Sequence, residues 1–123
     1  MKNIICVALG GAVGSVLRYI LSKIVSNCAD SPFPWGTFVV NVIGCFIMGV
    51  LLGIAAKNNI SAELKCLLLV GFCGGFTTFS TFAAESLSLI KGHEFMSVAI
   101  YLTFSLWVGI SAIWAGNRII QML

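Results

Sequence analysis

The chain has 123 residues, 59% of them hydrophobic and 9% charged, and carries a formal net charge of +3 with a mean hydropathy of +1.07. Soluble domains carry about 25% charged residues, so this composition excludes a water-exposed globular fold, and so small a basic excess calls for no nucleic-acid partner. The five cysteines are odd in number and include no CxxC and no histidine at metal-ligand spacing, which argues against a disulfide framework and leaves them as small hydrophobes.

Four stretches almost free of charge approach the ~20 residues a helix needs to cross a bilayer core. Spans are expected over roughly residues 4–25, 35–56, 66–90 and 95–119, all within a single transmembrane domain of residues 1–123. Lys2 ahead of an apolar run has the look of a leader peptide, but three further spans follow, so the first segment is read as a span. Gly10 and Gly14 give it a small-xxx-small face for helix packing in lipid, and Arg18 interrupts it near the end. Lys23 and the helix breakers of "SKIVSNCADSPFP" form the first connection.

The second span opens at Trp35 and carries Asn41 one turn after Thr37. An amide with two donors and an acceptor needs partners in hydrocarbon; a hydrogen bond that joins neighbouring helices and a contact to a permeating solute both satisfy it. Gly44, Gly49 and Gly53 follow, then the polar connection "KNNISAELK".

The third span holds the least lipid-like passage, "GFCGGFTTFSTF", Gly71 to Phe82. Each glycine makes helical backbone less favourable by about 1 kcal/mol relative to alanine. Unwound backbone at membrane depth is tolerated only where it is buried in protein or lines a cavity. A break near the centre of this span is therefore expected, with freed carbonyls suited to a hard cation, as in transporters with broken helices. Phe79 and Phe82 lie three apart on the helical piece beyond the break. Ring edges are weakly positive, so edges turned inward, with the hydroxyls and the Asn41 amide, favour a small anion that must bind and still leave. A glycine-kinked helix with packing aromatics is the plainer alternative. Glu85, just beyond "STFAA", is a functional candidate because it is an ionisable group within a span, although it also lies within reach of the interface near Lys91. After "KGHE", the last span places Tyr101 and Ser105 four residues apart on one face.

With four spans, one side of the membrane carries Lys2, Lys57, Lys65 and Arg118, and the other Arg18, Lys23 and Lys91. Four against three is a weak positive-inside bias, compatible with insertion in both orientations. A single four-helix bundle can hardly enclose an aqueous route. Oligomerisation is expected, and two opposed copies would form an inverted repeat built from two chains.

The stretches "GGAVGSVLRY", "PWGTFVVNVIGCFIMG" and "GFCGGFTTFSTFAAE" resemble the Fluc (CrcB) family of fluoride channels. Length, span number and motif order agree over essentially the whole chain. The third stretch is the most specific, and the last span matches mainly through Tyr101 and Ser105. The resemblance implies an antiparallel, dual-topology homodimer in a bacterial inner or plasma membrane, with two pores and no enzymatic activity. It also implies passive export of fluoride that enters cells as HF and is trapped by dissociation. A structural Na+ on the dimer axis would be held by the backbone carbonyls of Gly74 and Thr77 from each chain. Phe79 and Phe82 would line the pores by their edges, with Asn41 as amide donor. Thr78, Ser80, Thr81, Tyr101 and Ser105 would form the polar track, and Arg18 the vestibule. Two other classes stay open: a small multidrug exporter, which needs a carboxylate embedded in the membrane, and a non-transporting assembly subunit.

Overall fold

The computed structural model describes residues 1–123 and is all helical. Helix α1 spans Lys2–Cys28 and α2 spans Trp35–Lys57. Pro32 and Pro34 separate them; Pro34 stands directly before α2, where its missing N–H costs no helical bond. The third span is composite. It comprises α3 (Ala62–Lys65), a π-helical segment (Cys66–Cys73) and α4 (Gly74–Phe76), then irregular backbone at 77–79 and α5 (Ser80–Lys91). The Ser61 hydroxyl caps α3 by accepting from the Leu64 N–H at 3.2 Å. Helix α6 closes the chain over Phe95–Met122. By length and composition, Lys2–Cys28, Trp35–Lys57, Ala62–Lys91 and Phe95–Met122 can each cross a membrane. This is a multi-pass membrane protein of four spans, with the third broken.

Two pairings hold the bundle together: α2 against α6, and α1 against the first half of the third span. Both rest on backbone approaching backbone. A Cβ on Gly14 would run into the Phe72 carbonyl and come within 2.9 Å of the Phe76 nitrogen. Gly116 of α6 sits equally tightly against the Phe46 carbonyl and the Val50 nitrogen of α2. In lipid no hydrophobic force drives helices together, so dispersion at close range has to do it, and small residues permit that range.

The break falls later than the glycines suggest. Gly74 is helical at φ −64° and ψ −35°, whereas Thr77 is extended at φ −85° and ψ 159°. The glycines serve packing instead: a Cβ on Gly75 would lie 2.7 Å from the Gly11 carbonyl of α1, and one on Gly71 would lie 2.8 Å from that of Val7. Helix contact outweighs glycine's weak intrinsic preference. What ends the helix is polar capture of the next residues by α2.

Candidate functional site

Asn41 on α2 does the capturing. Its Oδ1 accepts from the Thr78 N–H at 2.8 Å, and its Nδ2 donates to the Thr78 carbonyl at 3.0 Å. The amide thus replaces both helical bonds that Thr78 would otherwise make, and it keeps one N–H free. Below the break, the Thr77 hydroxyl donates to the Cys73 carbonyl at 2.8 Å. Above it, the Thr78 hydroxyl accepts from the Thr81 N–H at 3.2 Å and donates to the Thr81 hydroxyl at 3.1 Å, capping α5. Because the Thr78 N–H turns to Asn41, the Gly74 carbonyl loses its ordinary helical donor, and the Thr77 carbonyl accepts no hydrogen bond.

Two cavities of about 360 Å³ each adjoin at this point. The first is polar and basic, lined by Arg18, Tyr19, Ser22, Lys23, Thr37, Val40, Thr78 and Thr81. The second lies on the other side of the break and is lined by Asn41, Thr77, Thr78, Phe79, Phe82 and Ser105 among others. Thr78 belongs to both. The Ser105 hydroxyl is buried yet has no hydrogen-bond partner, which costs about 1–3 kcal/mol unless a solute or water meets it.

Behind the second cavity runs a chain of rings. Phe79 and Phe82 have centroids 5.9 Å apart, and Phe82 is 4.8 Å from Tyr101. Tyr101 meets Phe33 edge-on at 5.3 Å. The two phenylalanines differ in setting: Phe82 packs on the core around Tyr101, while Phe79 is 78% exposed. Tyr101 itself is fully buried and donates through its hydroxyl to Glu85 Oε2 at 2.8 Å. The Thr37 hydroxyl donates to Glu85 Oε1 at 2.7 Å. Glu85 thereby joins α2, α5 and α6.

Of the residues singled out in the sequence, Asn41, Thr77, Thr78, Phe79, Phe82 and Ser105 converge on one cavity, and Arg18 and Thr81 on the other. Ser80 is exposed and lines neither; its hydroxyl only approaches that of Thr78, at 3.5 Å. Tyr101 also lies outside both, behind Phe82. Gly74 is exposed at the end of the π-helical segment, on a face where an added Cβ would meet nothing within 4 Å. The pairing of Thr37 and Tyr101 through Glu85 escaped the sequence reading. Its only signal was a hydroxyl in each of two spans and one carboxylate, with nothing local to say that they meet.

A multi-pass bundle whose third span is broken in mid-membrane, with a basic polar-lined cavity on one side of the break and a mostly apolar cavity holding a few polar groups on the other, defines a protein that passes a small solute or ion across the bilayer. The chain belongs to the CrcB-like family: residues 5–117 match the family described as "CrcB-like protein, Camphor Resistance (CrcB)". It is similar over its full length to a Flavobacterium psychrophilum protein named "Fluoride-specific ion channel FluC", at 39% identity over all of both chains. Proteins of the same name from Bacteroides fragilis and Rhizobium johnstonii are 46% and 44% identical to it. The former match covers 95% of this chain and 94% of the relative, the latter 100% and 99%.

Proposed function

We propose that this chain is a fluoride-selective channel through which fluoride leaves the cell down its electrochemical gradient. The observation that carries this reading is the cavity where the Phe79 and Phe82 rings, the free Asn41 N–H and the unpartnered Ser105 hydroxyl converge. Fluoride is small and strongly hydrated, so a pore must replace its water with donors that do not trap it. Ring edges and single neutral donors do so weakly and repeatedly, without a fixed cation at depth. Arg18 and Lys23 raise the local anion concentration in the adjoining cavity. The names of the relatives point to the same ion.

The working unit is an antiparallel homodimer with a pore on each side of its two-fold axis. Support comes from Phe79, an aromatic ring 78% exposed beside an open cavity, which needs a second wall. The carbonyls of Gly74 and Thr77 hold a structural Na+ on the axis. Their lack of ordinary helical partners suits them to a hard cation, and no cluster of His, Cys, Asp or Glu offers a rival metal site. The hydroxyl-bonded Glu85 gives a proton-coupled exporter its one favourable observation. Both its oxygens, however, already accept from hydroxyls of the bundle. The deciding experiment is efflux from liposomes holding the purified protein, with fluoride, chloride and a cationic dye compared. Rapid fluoride loss without a pH gradient is expected; dye export driven by a pH gradient, without fluoride loss, would overturn the channel.

A further inference from the structure

The two cavities at the break belong to a longer series. A third, of about 420 Å³, is lined by Ile110, Ile113, Trp114, Asn117, Arg118 and Gln121. Ile113 lines both this cavity and the one that holds Phe79, Phe82 and Ser105, as Thr78 joins that one to the Arg18 cavity. Shared wall residues thus link the three cavities in one series, a segmented groove with Arg18 at one end and Arg118 at the other. Helix α6 lines the second and third cavities, through Ser105, Leu106 and Ile113 in one and Ile113, Asn117 and Gln121 in the other, and contributes nothing to the first.

We propose that Arg118, with the Asn117 and Gln121 amides beside it, forms an anion-collecting mouth at the end of the groove opposite Arg18. This rests on the channel reading and assigns that channel's second opening. The Gln121 Nε2 donates to the Asn117 Oδ1 at 2.6 Å, so the Asn117 oxygen already accepts a hydrogen bond and its two N–H groups remain as donors. Lys57 stands at the same end, anchored by donation from its Nζ to the Ile120 carbonyl at 3.0 Å. The chain topology places Lys2, Lys57, Lys65 and Arg118 on this side against a single acidic residue, Glu63. The groove thus has a guanidinium at each end and neutral donors with aromatic rings between them. Such an arrangement concentrates a small anion at both openings and leaves the middle free of tight binding. Fluoride is the anion the channel reading supplies; chloride and fluoride are both drawn to the mouth, and discrimination belongs to the middle.

The test uses the full chain in liposomes of neutral phospholipid, so that lipid charge plays no part, with fluoride efflux read by electrode at low ionic strength. Arg118→Gln is expected to slow efflux by about three- to tenfold, Arg118→Glu by more, and Arg118→Lys to restore most of the rate. The gap between Arg118→Gln and the unmodified chain should close as an impermeant salt is raised, because screening removes a steering charge and leaves a structural role untouched. Arg118→Gln matching the unmodified chain at low ionic strength overturns the proposal, as does a defect that persists equally in Arg118→Lys and at high salt. Should Arg118→Gln fail to elute as folded protein, Asn117→Leu with Gln121→Leu reads the same mouth through its donors, and unchanged efflux there overturns it. Absence of fluoride efflux from the unmodified chain would instead overturn the channel reading itself.

Discussion

Phe79 and Phe82 share a motif but not an environment, and their substitutions should separate accordingly. Phe82 packs 4.8 Å from Tyr101, whereas Phe79 is 78% exposed. Isoleucine at either position keeps apolar bulk and removes the ring edge, so both variants should lose most fluoride efflux. Only Phe82→Ile should also lose stability, by about 0.5–1.5 kcal/mol from the aromatic pair, measured by unfolding in detergent. Intact flux in both would reduce the rings to packing. Asn41 is also more demanding than an amide donor read from sequence. Asn41→Ser is too short to bridge Thr78. Asn41→Asp keeps the acceptor for the Thr78 N–H but sets a carboxylate oxygen against the Thr78 carbonyl, now 3.0 Å from the Nδ2. The aspartate should therefore be the worse of the two in efflux, because it distorts the break and repels the anion as well; an aspartate variant faster than the serine would contradict this. The residue types around the cavity were legible because polar groups in a span are few and each demands a partner. Which partner each takes was not. Asn41 to Thr78 and Thr37 to Glu85 cross sequence separations of 37 and 48 residues.

The elements show where that legibility ends. Four spans follow from charge-free length alone, and a broken third span from its glycines and hydroxyls. The π-helical segment over Cys66–Cys73, against which α1 packs, left no mark in the pattern "CLLLVGFC". The same packing keeps the glycines helical, while capture of Thr78 by Asn41 sets the break at 77–79. That packing yields a contrast within one helix. A Cβ on Gly11 meets only the Gly71 oxygen at an ordinary 3.8 Å, while a Cβ on Gly14 collides with the backbone around Phe72 and Phe76. Gly14→Ala should therefore destabilise the fold by about 1–3 kcal/mol, the usual cost of overpacking, and Gly11→Ala should be close to neutral. Thermal unfolding in detergent checks the pair; equal behaviour would mean that α1 does not seat as described.

At the scale of the whole molecule, the single chain leaves two places open. Phe79 projects beside an open cavity, and Gly74 lies on a face where an added Cβ touches nothing within 4 Å. Within one chain, Gly74→Val therefore has room. If that face instead meets a second copy across a Na+ site, the valine should split the dimer on a sizing column and abolish efflux while leaving the monomer's helix content unchanged. An unaltered elution volume with intact flux would assign Gly74 to lipid. Orientation carries the same question to the membrane. Four basic residues, Lys2, Lys57, Lys65 and Arg118, face one side, and Arg18, Lys23 and Lys91 face the other. A difference of one charge is too small to fix topology by the positive-inside rule, and opposed copies require both orientations in one membrane. Reporters fused to the C-terminus should accordingly show both a cytoplasmic and an external population. Two lysines added beside His93, in the turn between α5 and α6, should shift the balance toward the orientation that keeps that turn inside. They should also lower efflux, since surplus copies of one orientation find no partner. Co-expression with a version biased the other way should restore efflux. A single orientation in the unmodified chain, with full fluoride efflux, would rule out the antiparallel pair.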